Sequence, residues 1–281
     1  MAAKVIDGRA IAARVIARVR ARAEALAARG VMPCLAIILL GDDPVSIRLV
    51  ARKREACREA GILPRFIPLP ESTSQAELAA LVDSLNLDPG VHGVLCQLPF
   101  PAHIAEAAVM RRIAREKDVD AFSALIGGDR EDMAACTPAG VIELLDFEGI
   151  PIAGRNCVVV GRSAVVGKPM AMQLMLRDGT VTICHTKTQD LSDITSRAQI
   201  LVVAAGSPRL ITADMVREGA VVIDVGNNRD ENGAVCGDVD FEAVREKASY
   251  ITPVPGGVGP MTVAMLMQNT ITAAEKQAAG E

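Results

Sequence analysis

The stretch Cys157–Pro169, which reads CVVVGRSAVVGKP, decides the fold of the second half of the chain. Four apolar residues run directly into a glycine, and a second glycine and Pro169 precede an apolar helical segment. A buried strand, a tight turn and a helix N-terminus in this order make a site suited to a dinucleotide phosphate. The spacing is G-x-S-x-x-x-G rather than G-x-G-x-x-G, so the pattern alone leaves a purely structural turn open.

Strand and helix patterns alternate on both sides of this stretch. Apolar runs predict parallel strands at Cys157–Val160, Thr180–Cys184, Ile200–Ala204 and Val221–Val225. Helical patterns separate them, which is typical of a Rossmann-like sheet covered by helices. The methionines between positions 170 and 175 lie on the first of these helices, and we interpret them as core packing.

The first half of the chain shows the same alternation. Apolar runs at Cys34–Leu40 and Val91–Gln97 predict buried strands. Helical spacing is found around these strands, at residues 11–26, 46–60, 78–85 and 104–115. The predicted fold class is therefore α/β, with two α/β domains of which the C-terminal one is Rossmann-like.

Composition narrows the class of protein. The 281 residues include 30 basic and 34 acidic side chains, and the formal charge of −4 argues against a nucleic-acid or membrane surface held by bulk charge. No apolar run approaches the roughly 18 residues that a membrane helix needs. The seven cysteines are scattered without a C-x-x-C pair, and there are only three histidines. We therefore expect free thiols, a cytoplasmic location, no metal, no membrane and no nucleic-acid partner.

The residues after the second predicted strand indicate which nucleotide the turn would hold. NAD enzymes usually place a carboxylate there for the ribose hydroxyls, but the chain reads Cys184-His185-Thr186-Lys187. Arg162, Thr186 and Lys187 are suited to a 2′-phosphate, which favours NADP over NAD. Lys187 taken by itself is more often a solvated surface lysine.

A series of motifs, met in order along the chain, resembles one known family. The motifs are Gly41–Ser46 (GDDPVS) with Lys53, Gln97-Leu98-Pro99, Lys117–Asp120 (KDVD), Cys136-Thr137-Pro138 and Thr252–Thr262 (TPVPGGVGPMT). From Ile6 to about Thr270 the chain resembles the bifunctional methylenetetrahydrofolate dehydrogenase/methenyltetrahydrofolate cyclohydrolase family. The last motif is long enough that chance is not a serious competitor.

The resemblance implies a division of labour along the chain. It implies a folate-binding catalytic domain over residues 1–138, completed by a C-terminal helix over 264–281, and an NADP-binding domain over residues 139–263. The folate is expected in a cleft between the two domains. A small-molecule folate is the expected substrate, and the expected assembly is a homodimer.

The resemblance also implies roles for single residues. Lys53 matches the family's catalytic lysine, Gln97 its hydrogen-bonding partner, and Asp120 the carboxylate that holds the pterin. The predicted substrate-binding residues are Leu49, Gln97, Asp120, Gly256, Gly257 and Pro260. The predicted cofactor-binding residues are Gly161, Arg162, Ser163, Gly167, Thr186 and Asn227.

The chemistry of the two implied reactions suits these residue types. Hydride transfer from 5,10-methylenetetrahydrofolate depends mainly on positioning. Hydrolysis of the methenyl cation to 10-formyltetrahydrofolate requires a group that takes a proton from water, and no histidine lies in a matching motif. A lysine with a lowered pKa is therefore the natural base. Without the motifs around it, Lys53 between Arg52 and Arg54 would be interpreted as part of a solvated helix face.

Several positions depart from the family's pattern. The family carries a tyrosine four residues before its lysine, where this chain has Leu49. It carries Gly-Phe-His after the aspartate, where this chain has Ala121-Phe122-Ser123, and an apolar residue in place of Asn227. These changes cluster around the folate pocket, so we expect hydride transfer to be retained and hydrolysis to be weakened.

Three other functions stay open on the sequence alone. A monofunctional methylenetetrahydrofolate dehydrogenase is favoured by Leu49 and opposed by the presence of Lys53 and Gln97. A non-catalytic folate- or nucleotide-binding paralogue would bind NADP without reducing it. An amino-acid or shikimate-type dehydrogenase would share the two-domain plan, but it would not need the segments Gln97-Leu98-Pro99 and Pro255–Pro260.

Overall fold

Strands and helices alternate along the chain in the computed structural model, which describes residues 2–121 and 133–280. The strands are β1 (Lys4–Val5), β2 (Cys34–Leu40), β3 (Leu63–Leu69), β4 (Gly93–Cys96), β5 (Asn156–Val160), β6 (Thr180–Cys184), β7 (Ile200–Val203), β8 (Val221–Asp224), β9 (Asn228–Arg229), β10 (Val235–Cys236) and β11 (Tyr250–Ile251). The helices are α1 (Gly8–Ala27), α2 (Pro44–Glu59), α3 (Gln75–Leu87), α4 (Glu106–Met110), α5 (Cys136–Phe147), α6 (Gly167–Leu176), α7 (Leu191–Thr195), α8 (Phe241–Arg245) and α9 (Val258–Ala279).

The chain forms two compact units. The first, which we call the six-stranded unit, contains Met1–Ala12 and Thr137–Thr262; the second, the three-stranded unit, contains Ala13–Cys136 and Val263–Glu281. Residues 1–12 belong to the six-stranded unit because β1 pairs in parallel with β11. The sequence division at residue 138 assigns this stretch to the N-terminal domain, since a two-residue strand is too short to show a periodicity.

The six-stranded unit is a parallel sheet with the strand order β1-β11-β8-β7-β5-β6. The predicted α/β fold and its four strands in this half are confirmed, although β6 lies at the sheet edge and is mostly exposed. The chain goes from β5 to β6 on one side and then to β7 on the other, so the strand order reverses there. Open α/β sheets bind ligands at the C-terminal ends of strands at such a reversal.

The three-stranded unit has a parallel sheet with the strand order β3-β2-β4. The central strand β2 is buried along its whole length, and its core-facing side packs with apolar residues of α3 and α4. The edge strand β3 was not predicted, because Pro64 and Pro68 interrupt its pattern. Proline lacks the N–H of a ladder hydrogen bond and is tolerated on an edge strand.

Helix α4 is shorter than the helix expected over residues 104–115. Ala105 at its N-cap provides no side-chain hydrogen bond. Asn86 Oδ1 accepts the N–H of Ala114 at 2.9 Å, and Asn86 Nδ2 donates to the carbonyl oxygen of Arg112 at 2.8 Å. These backbone groups are bound to a side chain, so they do not extend the helix.

The methionines of α6 are core residues only in part. Met170 is fully buried against the sheet, but Met172 is 50% and Met175 53% exposed. The interpretation of the whole set as core packing is therefore wrong, because a helix that covers a sheet buries one face only.

The structure describes the state of the cysteines and bears on whether a helix could span a membrane. All seven cysteines are free and buried. Within the described ranges, no helix combines the length and the apolar character that crossing a bilayer requires.

Candidate active site

The turn after β5 is so tight that glycine is required at two positions. Gly161 has a φ of +127°, and a Cβ there would collide with the carbonyl group of Ala204, the residue that follows β7. A Cβ on Gly167 would in turn collide with the carbonyl group of Gly161. The backbone therefore folds closely on itself where the strand order reverses.

Helix α6 begins at this turn. Ser163 Oγ accepts hydrogen bonds from the N–H groups of Val166 at 3.2 Å and Gly167 at 3.3 Å. Ser163 thus caps a helix whose own N-cap residue, Val166, has no side-chain acceptor. A helix N-terminus behind a glycine cradle favours an anionic group, so these residues fit the pyrophosphate of a dinucleotide.

A buried aspartate that the sequence analysis missed fastens the loop after β7. Asp238 is fully buried, and its carboxylate accepts the amide of Asn228 at 2.7 Å. It also accepts three consecutive backbone N–H groups at 2.6–3.0 Å, those of Ala205, Gly206 and Ser207. The loop that faces Gly161 is therefore held by a single carboxylate.

Asp224, the last residue of β8, holds the loop that follows β8 through its carboxylate. Its carboxylate accepts backbone N–H groups at 2.9–3.0 Å, those of Gly226, Asp238 and Val239. Burial raises the pKa of Asp224 to about 6, although these hydrogen bonds act in the opposite direction. An aspartate that ends an apolar run was the only signal in the sequence for this arrangement.

The remaining predicted cofactor residues lie at the surface. Arg162, Thr186 and Asn227 are exposed. Thr186 belongs to a turn that is closed by a hydrogen bond from the N–H of His185 to Thr188 Oγ1 at 2.8 Å. Asn228, rather than Asn227, is the asparagine engaged within the fold.

A second glycine-dependent loop precedes α9 in the six-stranded unit. Gly256 has a φ of +113°, and a Cβ there would lie 3.4 Å from Arg9 Nε. A Cβ on Gly8 would collide with the carbonyl group of Gly257. Pro260 lies in the first turn of α9, where its missing N–H leaves no hydrogen bond unmade.

Helix α2 of the three-stranded unit places Leu49 and Lys53 one turn apart. Asp43 caps the helix by accepting the N–H of Ser46 at 2.7 Å, and Pro44 occupies the first helical position. Ser46, Val50, Ala56 and Cys57 are buried and set the rotation of the helix. Lys53 is consequently only partly buried, and Leu49 is 38% exposed.

The ε-amine of Lys53 has an uncharged hydrogen-bond partner. Lys53 Nζ donates to Gln97 Oε1 at 2.9 Å, and Gln97 Nε2 donates to the carbonyl oxygen of Leu98 at 2.7 Å. Burial lowers the pKa of Lys53, while the nearby carboxylate of Asp120 acts in the opposite direction. An amine with a lowered pKa can accept a proton at lower pH than an ordinary lysine.

Asp120 lies near this amine. Burial raises the pKa of Asp120, whereas the charge of Lys53 and a hydrogen bond from the Cys136 thiol lower it. The pKa of Cys136 is itself raised well above its usual value by burial and by Asp120. The structure therefore brings Lys53, Gln97 and Asp120 together in the three-stranded unit.

The residue after Asp120 has an unusual backbone conformation. Ala121 has a φ of +56° and is fully buried. This left-handed region favours glycine, and glycine is the residue that the family's pattern carries at this position. Phe122 and Ser123, the other two departures at this point, lie outside the described residues.

Two further observations concern sites elsewhere. In the part of the chain that the structure describes, no group of three or more His, Cys, Asp or Glu residues is arranged to hold a metal ion. A cavity of about 320 Å³ lies in the six-stranded unit at the N-terminal ends of β7, β8 and β11, lined by residues such as Arg155, Arg217 and Tyr250. It contains none of the predicted site residues.

The fold and the site together define a class of protein, a two-unit α/β protein with a dinucleotide site. Its parallel sheet has a glycine turn where the strand order reverses, and a partly buried lysine lies on the other unit. Two family models match the chain. The catalytic domain of tetrahydrofolate dehydrogenase/cyclohydrolase matches residues 6–120, and the NAD(P)-binding domain of the same family matches residues 135–278.

Individual proteins agree with these models. The chain is 51% identical over 281 residues to the bifunctional protein FolD of Nitrosospira multiformis, covering 98% of this chain and 97% of that protein. A crystal structure of the bifunctional FolD enzyme from Campylobacter jejuni is 45% identical with a TM-score of 0.95, covering 98% of this chain and 99% of the other. FolD of Trypanosoma brucei, complexed with NADP cofactor and inhibitor, is 37% identical with a TM-score of 0.92, covering 99% of both chains. The chain belongs to the tetrahydrofolate dehydrogenase/cyclohydrolase family.

Proposed function

We propose that this protein oxidises 5,10-methylenetetrahydrofolate with NADP and hydrolyses the resulting 5,10-methenyltetrahydrofolate to 10-formyltetrahydrofolate. The observation that carries the proposal is the amine of Lys53, which is partly buried beside Gln97 and has a lowered pKa. Both family models match, which supports an enzyme with the two activities and sets the shikimate-type alternative aside.

The six-stranded unit holds the nucleotide in this proposal. Gly161 and Gly167 let the backbone approach the pyrophosphate, and Ser163 keeps the start of α6 in place. Arg162 and Thr186 contact the 2′-phosphate, and Asn227 adds a polar contact from the loop after β8. When NADP is bound, its nicotinamide supplies the hydride acceptor for the oxidation.

The three-stranded unit carries out the hydrolysis. Water adds to the methenyl carbon, and Lys53 Nζ takes the proton that this addition releases. Gln97 Oε1 accepts one N–H of the amine and so orients its lone pair. As the carbon–N5 bond breaks, N5 takes the proton held by Lys53, and the hydroxyl group on that carbon loses its own proton to solvent as the C=O bond forms, which leaves the formyl group on N10. Asp120 holds the pterin, and Leu49 provides an apolar contact.

A paired assay tests the proposal. The purified protein is given methylenetetrahydrofolate with NADP or NAD, and separately methenyltetrahydrofolate, with the enzyme-free hydrolysis rate subtracted. We expect reduction of NADP in preference to NAD, and loss of hydrolysis in Lys53→Met. Arg52→Met, one position away on the exposed side of α2, is the matched control and should hydrolyse normally. Unchanged hydrolysis in Lys53→Met would remove Lys53 from its role, and NADP binding without reduction would indicate a non-catalytic paralogue.

We also propose that hydrolysis is weak relative to oxidation. Leu49 is exposed one turn before Lys53 and has no hydroxyl with which to hold the amine. This observation favours the monofunctional dehydrogenase as the second candidate. Leu49→Tyr should raise the hydrolysis rate and leave NADP reduction nearly unchanged; an equal or lower hydrolysis rate would count against a role for this position.

We propose that the protein is a homodimer. An apolar surface on the edge of the six-stranded unit supports this, formed by Met172, Met175 and Leu176 of α6 and Ile183 of β6, each at least 41% exposed. In sedimentation, Met175→Glu should shift the protein towards monomer. Met32→Glu, at an equally exposed methionine of the other unit, should leave the assembly intact.

A cytoplasmic location is also proposed, because all seven thiols are free and a reducing compartment keeps them so. There, the 10-formyl product would serve purine biosynthesis. Cell fractionation tests the location, and a purine requirement after deletion of the gene tests the pathway. The folate contacts of Gly256, Gly257 and Pro260 stay predictions.

A further inference from the structure

Asn269 is a buried polar side chain on α9 whose contacts lie on both sides of the segment that follows Asp120. It is 3% exposed. Its Nδ2 donates to the carbonyl oxygen of Val119 at 2.8 Å and to that of Ala134 at 2.9 Å, and it lies 3.6 Å from Cys136 Sγ. All four residues belong to the three-stranded unit.

The carboxamide of Asn269 donates two hydrogen bonds. An NH₂ group carries two hydrogens, and two carbonyl oxygens accept them. Leucine has the same branched shape without hydrogen-bonding atoms, so the property that asparagine adds at this position is hydrogen bonding. Asn269 therefore ties together two backbone positions that are 15 residues apart in the chain.

The carbonyl group held at Val119 belongs to the peptide bond that joins Val119 to Asp120. The thiol of Cys136 also approaches this carbonyl oxygen at 3.5 Å, and the same thiol interacts with the Asp120 carboxylate. On the other side of Asp120, the backbone of Ala121 is left-handed. The direction in which the Asp120 side chain leaves the backbone is consequently set by its neighbours on both sides.

We propose that Asn269 is a positioning residue for the hydrolysis: by holding Val119 and Ala134, it places the Asp120 carboxylate beside the amine of Lys53. The inference rests on the function proposed above for Lys53 and Asp120. Asn269 itself acts only through Asp120.

The electrostatics give this proposal a measurable consequence. The titratable groups that face Lys53 are Asp120, Cys136 and Cys57, and each of them acts to raise its pKa against the lowering caused by burial. The groups that face Asp120 are Lys53, Cys136, Asp118 and Cys96. If Asp120 moves away, Lys53 loses the largest of the effects that keep it protonated, so its pKa falls further.

The experiment compares Asn269→Leu with Thr270→Val in the full-length protein. Thr270 is the adjacent residue, is also fully buried, and donates only within α9, to the carbonyl oxygen of Leu266 at 2.7 Å. Thr270→Val therefore removes a buried hydrogen bond of the same helix without touching the Asp120 segment. Asn269→Ser, which keeps one donor, provides an intermediate variant if the leucine variant folds poorly.

We expect Asn269→Leu to lower kcat for hydrolysis by roughly ten- to a hundredfold, as a displacement of about 1 Å can do. We also expect the acidic limb of its pH profile to shift to lower pH, with Asn269→Ser between it and the wild type. The KM for NADP should stay unchanged, and Thr270→Val should keep the wild-type profile. If Asn269 had only a structural role, Asn269→Leu would lower the hydrolysis rate or the thermal stability without shifting the acidic limb of the pH profile.

Two outcomes overturn different claims. If Lys53→Met abolishes hydrolysis while Asn269→Leu keeps the wild-type limb and rate, the positioning role fails and the proposed function stands. If Lys53→Met hydrolyses normally, the proposed function of Lys53 fails first, and the role of Asn269 fails with it.

Discussion

Asp238 is fully buried and Asp120 is partly buried, and the partners of the two carboxylates differ in kind. Asp238 in the six-stranded unit accepts three backbone N–H groups and the amide of Asn228. Asp120 in the three-stranded unit is faced by the thiol of Cys136 and the amine of Lys53. The oxygens of Asp238 accept hydrogen bonds from donors that do not titrate. The neighbours of Asp120 are groups that themselves gain or lose protons.

The difference separates a carboxylate that holds loops in place from one that lies among titratable groups. Backbone N–H groups satisfy a buried carboxylate and fix loops, so the loops at the C-terminal ends of β7 and β8 are held in place. A carboxylate left among titratable groups instead couples their pKa values, which is a property of catalytic sites. Four predictions test this contrast, in order of decreasing effect.

The largest effect should come from Gly161→Ala. The new Cβ collides with the carbonyl group of Ala204 at a φ of +127°, and we expect destabilisation by about 4 kcal/mol with loss of NADP binding. Gly154→Ala is the control, since Gly154 also has a positive φ but open space around it. It should cost about 1 kcal/mol in chemical denaturation. Equal effects would mean that the turn is not closely packed.

The next effect concerns the pH dependence of stability through Asp224. Its pKa is about 6 in the folded protein against 3.8 for an ordinary aspartate, so the folded state binds the extra proton between these values. The free energy of unfolding of the wild type minus that of Asp224→Asn should therefore rise as pH falls from about 6 to about 4, by up to about 3 kcal/mol. Asp214, whose pKa is lowered from 3.8 by Thr212, should show little slope in this pH window, and its contribution to stability should fall only as the pH drops below about 3.8.

Replacing each contrasted aspartate by asparagine tests the comparison directly. Asp238→Asn turns an acceptor oxygen into an NH₂ group that faces backbone N–H groups, so we expect a loss of about 2 kcal/mol in unfolding free energy. Asp120→Asn removes a partly buried charge whose pKa is raised by burial and which accepts no rigid set of backbone donors, so its unfolding free energy should stay the same or rise while hydrolysis falls. Similar losses of stability in the two variants would contradict the distinction.

The smallest effect should come from the backbone beside Asp120. Ala121→Gly relieves a left-handed alanine and should stabilise the protein by about 1 kcal/mol. Ala60, equally buried but with a φ of −81°, is the matched control, and Ala60→Gly should destabilise by about the same amount. Thermal unfolding of both variants gives the comparison, and a loss of stability in Ala121→Gly would show that the site accommodates the left-handed alanine without strain.

Much of the fold could be predicted from local pattern. Strands β2 and β5 are buried on both faces, so they appear in the sequence as continuous apolar runs. Strand β3 was missed because its prolines resemble a break, and β1 was missed because two residues carry no periodicity. Both strands form by pairing with a partner that is distant in the chain.

The candidate site divides in the same way. Lys53 and Gln97 were predicted from motifs, and the structure joins them 44 residues apart by a hydrogen bond. Asn269 and Asp238 were not predicted, because a buried polar residue shows its role only through the donors and acceptors around it.

The sequence by itself determined the elements with local causes: the apolar strands, the capped helix α2 and the glycines of the turn at Gly161. Only the tertiary structure decided which aspartate binds backbone N–H groups and holds loops in place, and which one lies beside an amine. The reason is physical, because burial and partners act through space, and the pKa of Lys53 depends on residues as distant in the chain as Asp120 and Cys136.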